Sequence, residues 1–463
     1  MIVMKFGGTS VGDAGRIEHV AGLIRQAPAR PVVVVSAMAG VTNSLIELAR
    51  LAASGQRARA EEALAALREK HAAVARELLQ AREQEAAVRF IEDRVKELST
   101  LVESLAVLGE LTLRALDRIA GMGEKFAAYL LAAVLRSQGA DAAYVDATEV
   151  LVTDSSFGGA NPLMAETRAR AQEKIRPLLE AGKIPVITGY IGADAAGTPT
   201  TLGRGGGDYS AAIFGAALDA DEVWIWTDVD GILTADPKIV PAARTLEELT
   251  YVEAAQLAYF GAEVLHPKTV QPLVERGIPL RIRNTFNPEH PGTRIVRQRQ
   301  QQGSPARAII TAKNLSMIAV VGSGAGWSPA LSARALQGLA QAGVEVLMFG
   351  QSFVDSTFSL LVRRAESEDS LNILQRVLEE ELAAGIIREI SRREPVASVS
   401  VVGAGAEDSF SLASRTFAAL ARQHTEVLDV AQAYSEYNVT FIVRQEDVDA
   451  AVRCIHAELG LGA

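Results

Sequence analysis

The sequence has 463 residues, 49% of them hydrophobic, and a formal net charge of −10 at pH 7. This length exceeds what one hydrophobic core supports, and this hydrophobic content excludes a largely disordered chain. The acidic balance argues against nucleic-acid binding, and a single cysteine excludes an internal disulfide framework. No secretory signal and no membrane-spanning apolar run are present. We therefore expect a cytoplasmic protein of several domains, without nucleic-acid or membrane partners.

Short apolar strands followed by glycines or small polar residues recur in the first part of the chain. The strand Ile2–Phe6 runs into KFGGTS, and the β-branched run Pro31–Ser36 runs into SAMAGVTN. A third strand, Ile184–Ile191, precedes the glycine-rich turn TLGRGGGD at Thr201–Asp208. Ligands of open α/β sheets gather at the carboxyl ends of the strands. These turns therefore predict one site at one edge of a sheet.

The turn Thr201–Asp208 carries the clearest signal for an anion site. Its glycines Gly205–Gly207 let a ligand approach the backbone without a Cβ in the way. Arg204 offers a planar fork for a carboxylate or phosphate, and a helix N-terminus that follows offers free N–H groups. Asp208 is both an N-cap candidate and a candidate functional acid. A flexible surface turn with a good cap is the alternative interpretation.

Changes in composition separate a helical insertion, an α/β domain and a linker. Residues from about 45 to 107 are rich in Ala, Glu, Arg, Leu and Gln at helical spacing, which predicts a helical insertion with a structural role. The alternation of strands and helices makes residues 1–296 one α/β domain. The polar stretch 297–307, RQRQQQGSPAR, is typical of a linker.

The last third contains an internal repeat. Val320–Ala325 (VVGSGA) matches Val401–Ala406 (VVGAGA). The same offset aligns Arg334 with Arg415 and Gln351 with Gln432. Each copy has the pattern of a small α+β module, and we place the two modules at 308–390 and 391–463. The turn GSGAGW is not a dinucleotide fingerprint, because Trp327 stands where that motif needs its third glycine.

With these motifs in this order, the chain resembles the aspartokinase family, in the long form with two C-terminal ACT modules. The matching blocks are KFGGTS, SAMAGVTN, MGEK, TLGRGGGD, WTDVDGILTADP and HPKT. The resemblance implies an amino-acid-kinase fold, a mainly parallel sheet with helices on both faces, plus two ferredoxin-like α+β ACT modules. It implies transfer of the ATP γ-phosphoryl to the side-chain carboxylate of L-aspartate, as the first step toward lysine, threonine or methionine-type products. Magnesium would be carried by the ATP phosphates, with no metal site of the protein's own.

The resemblance also assigns roles to residues. Lys5 would neutralise the transferring phosphoryl, and Asp208 would orient Lys5 or act through Mg²⁺. Arg204 would bind the aspartate α-carboxylate and Glu124 its α-ammonium. The implied aspartate site comprises Ser36, Thr42, Glu124, Arg204 and Gly205. The implied nucleotide site comprises Lys5, Gly7, Gly8, Ser10, Thr227, Asp228, Asp230, Lys238 and Lys268. An effector site for lysine or threonine would comprise Ser323, Trp327, Leu331, Phe349, Gln351 and Thr357.

Several features depart from the family pattern. Gly207 stands where the family usually has serine, Leu233 lies near a usual aromatic, and Lys238 replaces a frequent arginine. The first ACT turn reads Gly326–Pro329 instead of carrying Pro-Gly, which bears on feedback inhibition. Because the first ACT module of this family is commonly inserted into the second, the strand Ala308–Thr311 could belong with the second module.

Two alternatives to an aspartate kinase stay open. One is a kinase of the same fold acting on another substrate, such as glutamate, acetylglutamate or a nucleotide. The other is a catalytically inactive amino-acid sensor that binds lysine or threonine through its ACT modules. We expect a homodimer or larger assembly through the ACT modules. We also expect no fused homoserine dehydrogenase, since residue 463 is the last of this sequence.

Overall fold

A computed structural model describes residues 1–259, 267–299, 306–324, 328–352, 354–403, 409–432 and 438–462. These residues fold into two compact units. The first unit consists of Met1–Ile232, Thr245–Ala255 and Glu263–Gln300, and the second of Leu233–Arg244, Gln256–Ala262 and Gln301–Ala463. No helix in the described ranges combines the length and apolar character needed to cross a bilayer.

A mainly parallel sheet forms the centre of the first unit. The strands of this unit are β1 (Ile2–Phe6), β2 (Val32–Val35), β3 (Ala142–Val145), β4 (Ile184–Thr188), β5 (Ile191–Ala193), β6 (Pro199–Thr201), β7 (Glu222–Thr227), β8 (Glu248–Thr250), β9 (Leu280–Asn284) and β10 (Thr293–Val296). Among the described residues, eight of them form one sheet in the order β3-β4-β2-β1-β7-β9-β10-β8, and β5 and β6 form a separate hairpin. The predicted amino-acid-kinase-like sheet is thus confirmed.

Strand register brings the carboxyl ends of the central strands to one edge. Phe6, the last residue of β1, lies opposite Val35 of β2 and Trp226 of β7, and all three strands run parallel. Val35 in turn lies opposite Thr188, the last residue of β4. The β-branched residues of β2 are buried on both faces, as expected for the centre of a parallel sheet. The loops after β1, β2, β4 and β7 therefore leave the sheet side by side.

Helices cover this sheet and fill the inserted stretch. The helices of the N-terminal part are α1 (Ala14–Arg25), α2 (Val41–Ala53), α3 (Arg57–Leu78), α4 (Ala81–Leu108), α5 (Leu113–Ala120), α6 (Met122–Ser137), α7 (Met164–Lys174), α8 (Arg176–Glu180), α9 (Gly206–Leu218), α10 (Tyr251–Tyr259) and α11 (Pro267–Val274). The stretch 45–107 is helical, as α2, α3 and α4 run through it. His71 of α3 is fully buried, and its ring lies 4.6 Å from that of Phe126 on α6, which fixes the insertion against the helix that carries Glu124.

The second unit has a sheet of its own. Its strands are β11 (Ala306–Gly322), β12 (Met348–Ser352), β13 (Thr357–Arg363), β14 (Ile387–Gly403), β15 (Val427–Gln432) and β16 (Asn438–Arg444). Its helices are α12 (Pro329–Gln341), α13 (Ser367–Val377), α14 (Glu379–Ala383), α15 (Ser409–Arg422) and α16 (Val448–Leu459). Within the described part of the chain, the strand order is β12-β13-β11-β14-β16-β15.

The two long strands of this sheet are each shared by both repeats. The first half of β11 pairs with the second half of β14, so that Ala308 faces Val402. The second half of β11 pairs with the first half of β14, so that Val320 faces Ile390. The strand Ala308–Thr311 therefore pairs within the second module, and β11 begins inside the stretch expected to be a linker, of which 300–305 lie outside the described residues.

The segment Leu233–Arg244 corrects the domain boundary drawn from the sequence. It was expected to belong to the α/β domain, but it folds with the second unit. Ala235, Ile239 and Val240 join the apolar cluster of the second module, which explains the difference. The Ile309 N–H of β11 also donates to the Thr234 carbonyl at 2.8 Å, so the segment is hydrogen-bonded to a strand of that module.

Candidate functional site

The loops at the carboxyl edge of the sheet are fastened to neighbouring strands by backbone hydrogen bonds. The Ser36 N–H donates to the Phe6 carbonyl at 3.1 Å, and the Gly7 N–H to the Trp226 carbonyl at 3.4 Å. The Gly189 N–H donates to the Val35 carbonyl at 2.8 Å. Because each loop starts with such a bond, its first side chains are held at fixed positions at one edge of the sheet.

Lys5 and Asp208 form an ion pair at the centre of this edge. Lys5 Nζ lies 2.5 Å from Asp208 Oδ1, and their side chains are only 11% and 16% exposed. The expectation that Asp208 is an N-cap is wrong, because α9 begins at Gly206 and Gly205, with a φ of 72°, occupies the cap position. Glycine adopts this left-handed conformation at no steric cost, so the helix starts earlier and leaves Asp208 free to face Lys5.

Glycine is needed at position 207 because two side chains lie close to where a Cβ would be. A Cβ at this position would lie 2.6 Å from Ser36 Oγ and 3.2 Å from Lys5 Cε. Gly8 is confined in the same way, since its Cβ would lie 2.8 Å from the Ala37 carbonyl oxygen. The glycines of both predicted turns thus let the KFGGTS, SAMAGVTN and TLGRGGGD loops pack against one another.

Glu124 is a buried acid at the start of α6. It is 3% exposed, and its Oε1 accepts a hydrogen bond from the Ala37 N–H at 3.1 Å. Its other oxygen, Oε2, has no hydrogen-bond partner among the described residues. Burial raises the pKa of Glu124 to about 8, against the opposing effects of the Ala37 N–H and of the Lys5 charge. The free oxygen and the raised pKa make Glu124 a receptor for a cation or a hydrogen-bond donor.

Two further residues of the predicted aspartate site have accessible side chains. Arg204 is exposed, and it makes no hydrogen bond or ion pair with the part of the chain that the structure describes. Thr42 is half-buried in the first turn of α2, directly after the loop that begins at Ser36. Glycines flank Arg204 on both sides, Gly203 and Gly205, each with a positive φ. The guanidinium is therefore placed by its backbone and not by partners of its own.

Several residues expected to bind nucleotide are hydrogen-bonded to the last residue of β9 or to the residues that follow it. Ser10 is fully buried and its hydroxyl bonds that of Thr285 at 2.7 Å, while the Thr285 N–H donates to the Thr227 carbonyl at 2.8 Å. Asp230 Oδ1 accepts from the side-chain amides of Asn284 (2.9 Å) and Asn287 (3.0 Å). Sequence reasoning missed Asn284, Thr285 and Asn287, which orient the predicted residues. Ser10 and Asp230 thus help to order the loops.

The other nucleotide candidates differ in their surroundings. Asp228 is exposed and accepts from the Thr227 hydroxyl at 3.2 Å. Lys268 is exposed on α11 of the first unit. Lys238 is exposed and belongs to the segment that folds with the second unit, so its assignment to the nucleotide stays a prediction. The described residues contain no cluster of acidic, histidine or cysteine side chains that could hold a metal ion.

Comparisons with known proteins agree with this geometry. The model of the amino acid kinase family matches residues 1–284, and that of the ACT domain matches residues 399–459. The chain belongs to the aspartokinase family. It is 32% identical to Aspartokinase 2, chloroplastic, of Arabidopsis thaliana, over 98% of this chain and 83% of that protein.

Solved structures place the whole chain in the same family. E. coli aspartokinase III in complex with aspartate and ADP (R-state) matches with a TM-score of 0.82 and 30% identity, over 99% of this chain and 100% of that one. The same enzyme with lysine and aspartate (T-state) also matches with a TM-score of 0.82, 30% identity and 99% of each chain.

Some aspartokinase relatives are much longer. The bifunctional aspartokinase/homoserine dehydrogenase 1, chloroplastic, of Arabidopsis thaliana is 33% identical over 99% of this chain. The chain spans about half of that relative, 51% of its length.

The described members of the predicted effector site lie just after β11, in the first turn of α12, and on β12 and β13. The Ser323 N–H donates to the Ile386 carbonyl at 2.9 Å, and Leu331 is buried in α12. Gln351 Oε1 accepts from the Ser332 hydroxyl at 3.3 Å, whereas its buried Nε2 lacks a partner within the described ranges. Phe349 is partly exposed on β12, Thr357 begins β13, and Trp327 lies outside the described residues.

Proposed function

We propose that this chain is an aspartate kinase, which converts ATP and L-aspartate into ADP and 4-phospho-L-aspartate. The observation that carries the proposal is the ion pair of Lys5 with Asp208, set among the glycine loops beside Ser36. Family membership supports it, as does the fold shared with E. coli aspartokinase III, which was solved with aspartate and ADP.

The chemistry needs positioning and charge stabilisation more than proton transfer. A carboxylate is already ionised at pH 7, so it attacks the γ-phosphorus without a general base. Lys5 Nζ, held by Asp208, neutralises charge that develops on the transferring phosphoryl oxygens. The N-terminus of α9, which begins at Gly206, adds free N–H groups and a positive dipole end near the same point. Mg²⁺ arrives with ATP and is part of that substrate.

Amino-acid recognition follows from the two charges of the aspartate backbone. The α-ammonium meets Glu124, whose free oxygen then acquires a partner and whose ionised form is stabilised. The α-carboxylate meets Arg204 as a bidentate pair. Ser36 and Thr42 line the pocket between them, and Gly7 and Gly8 hold the phosphates.

The test is a hydroxamate assay with Mg-ATP, hydroxylamine and either aspartate or glutamate. We expect aspartyl hydroxamate from the wild-type chain and little product from glutamate. Equal turnover of both amino acids would refute the aspartate assignment, and ADP formation that requires neither would refute an amino-acid kinase. No turnover together with tight lysine or threonine binding would identify a sensor instead.

We further infer that lysine or threonine inhibits the enzyme through the ACT modules, at Ser323, Leu331, Phe349, Gln351 and Thr357, in a homodimer. The ACT match and the lysine-bound E. coli relative support this inference. Inhibition curves for each amino acid, with the mass of the species in solution measured by light scattering, test both parts. A monomer insensitive to either amino acid would overturn them.

A further inference from the structure

Asp117 is a buried acid that the roles assigned so far do not use. It lies on α5, it is 3% exposed, and no lysine, arginine or histidine of the described residues forms an ion pair with it. Instead, three donors surround its carboxylate. Oδ2 accepts from the N–H groups of Gly158 (2.9 Å) and Thr201 (3.0 Å), and Oδ1 accepts from the Thr201 hydroxyl at 2.7 Å.

These three hydrogen bonds join two loops to one helix. Thr201 ends β6, and its carbonyl accepts from the Ala160 N–H at 2.8 Å. Gly203 packs so closely on the first loop that a Cβ there would lie 3.1 Å from the Gly158 carbonyl oxygen. The loop around Gly158 and the turn that starts at Thr201 therefore form one body, and the Asp117 carboxylate is its attachment to α5.

The attachment bears on both halves of the amino-acid site. Arg204 follows Thr201 by three residues and has no partner among the described residues, so its place depends on the backbone that Asp117 holds. On the other side, Asp117 belongs to α5, which ends at Ala120, and α6 with Glu124 begins directly after Gly121. The Asp117 carboxylate thus ties the backbone that carries Arg204 to the helix that leads into the one carrying Glu124.

We propose that Asp117 is a positioning residue for the amino-acid substrate, which sets the distance between Arg204 and Glu124 without touching the substrate. The inference rests on the proposed function, because it takes these two groups to bind the α-carboxylate and α-ammonium. A buried carboxylate that receives three donors is costly to replace, since each donor would be left without an acceptor.

The experiment compares Asp117→Ala, Asp117→Asn and a control in another part of the first unit. The control is Glu253→Ala on α10, because Glu253 is equally buried, at 1% exposure, and its Oε2 also accepts from the N–H (2.7 Å) and the hydroxyl (3.0 Å) of one threonine, Thr250. Asp117→Asn keeps the shape, and its amide can donate to the Thr201 hydroxyl, so it should retain most of the function.

We expect Asp117→Ala to raise the KM for aspartate roughly tenfold or more, with the KM for ATP changed less than about twofold, since small misplacements of a binding group are costly. Glu253→Ala should leave both values near wild type. In an Arg204→Ala background, Asp117→Ala should add little further increase in KM, because the two residues act on one contact. An equal rise in both KM values, or full additivity with Arg204→Ala, would overturn the positioning role.

Hydrogen exchange provides a readout that does not depend on the reaction. Peptides covering residues 155–160 and 199–206 should exchange faster in Asp117→Ala than in the wild type or Asp117→Asn. Unchanged exchange would refute the attachment even if the chain phosphorylated aspartate. Faster exchange in a chain that phosphorylates another amino acid would keep the attachment and reject aspartate as the substrate, and the KM comparison would then be made with that amino acid.

Discussion

The ammonium group of Lys5 and the carboxylate of Asp208 lie 2.5 Å apart, although they are separated by most of the first unit in sequence. Lys5 sits at the end of β1 and Asp208 in the first turn of α9. Asp208 fixes the position of the ammonium group. An approaching phosphate can bind the same ammonium group, because the pair lies in a mostly buried place at the edge of the sheet. A charge held ready in advance stabilises a transition state without reorganisation at the moment of reaction.

Replacement of Lys5 should therefore affect turnover more than binding. We expect Lys5→Met to lower kcat at least about 100-fold, in the range seen when one preorganised charge or donor is removed. Lys125→Met is the matched control, because Lys125 pairs with Asp146 at 2.9 Å with similar exposure, 12% and 17%. Both variants leave an unpaired carboxylate and should lose thermal stability. Comparable losses of kcat in the two would show that Lys5 is only structural.

We expect Gly207→Ala to fold normally but to lose activity. Its backbone is helical, so Gly207→Ala should gain up to about 1 kcal/mol of helix stability. The new methyl group would lie 2.6 Å from Ser36 Oγ, which must turn away. We expect a several-fold lower kcat/KM. In a Ser36→Ala background Gly207→Ala should cost less, because only the approach to Lys5 Cε at 3.2 Å then remains.

The control for this substitution is Gly22→Ala in α1, where an added Cβ meets nothing within 4 Å. It should bring a similar gain in the free energy of unfolding and leave kcat/KM at the wild-type value. Wild-type activity in Gly207→Ala would mean that the close approach to Ser36 has no part in the reaction.

The raised pKa of Glu124 predicts a dependence of stability on pH. Burial moves this pKa from 4.5 in the unfolded chain to about 8 in the folded one. Between these values the folded protein binds more protons than the unfolded protein, so the free energy of unfolding falls as pH rises, by at most about 1.4 kcal/mol per pH unit. Urea midpoints measured from pH 5 to 8 should decline less in Glu124→Gln than in the wild type. Glu61→Gln is the control, because Glu61 is exposed, and its midpoints should decline as in the wild type.

The same shift predicts proton release on substrate binding. At pH 7 the ligand-free Glu124 is mostly protonated, whereas a bound α-ammonium favours the carboxylate. Aspartate binding should release up to about one proton per site, seen as a binding enthalpy that depends on the ionisation enthalpy of the buffer. Glu124→Gln should abolish the buffer dependence. Proton uptake by the wild type would contradict a role in ammonium binding.

Gln351 provides a test of the effector site with its own control. Its buried Nε2 has no partner among the described residues, which suits a ligand carboxylate. We expect Gln351→Ala to weaken inhibition by lysine or threonine at least about tenfold, the effect of about 1.4 kcal/mol, with kcat unchanged. Gln432 lies at the matching position of the second repeat and is exposed on β15, so lysine or threonine should inhibit Gln432→Ala as strongly as the wild type. Equal effects of the two would argue for a site shared by both modules.

Local patterns predicted much of the catalytic edge. Lys5 lies in β1, Ser36 directly follows β2 and Asp208 lies in the first turn of α9, and the signals for these elements lie within a few residues of each side chain. The predicted N-cap of α9 lay three residues too late, because Gly205 replaces a side-chain cap with backbone freedom. Boundaries that depend on such local choices are the least predictable part of a helix.

Long-range partners could not be predicted in the same way. The spacing around Asp117 does not mark it as buried, because Leu113, one helical turn before it, is itself 59% exposed; its burial depends on donors that approach from other parts of the chain. The identity of those donors, Gly158 and Thr201, depends on tertiary packing that no local pattern contains. The segment Leu233–Arg244 was misassigned for the same reason, since its apolar partners lie far along the chain.

The sharing of β11 and β14 makes the two regulatory modules unequal as units of exchange. Residues 313–395 lie between Ala312 of β11 and Ser398 of β14, which face each other in the sheet, so they form a cassette with adjacent ends. Such a cassette can be excised and replaced by a short turn, or transplanted from a relative by two crossovers. The second module is discontinuous, because it consists of the first half of β11 and of the chain from the second half of β14 onward, so its removal needs two separate deletions. The effector sensitivity proposed above would therefore be gained or lost by exchange of residues 313–395 while the second module stays in place.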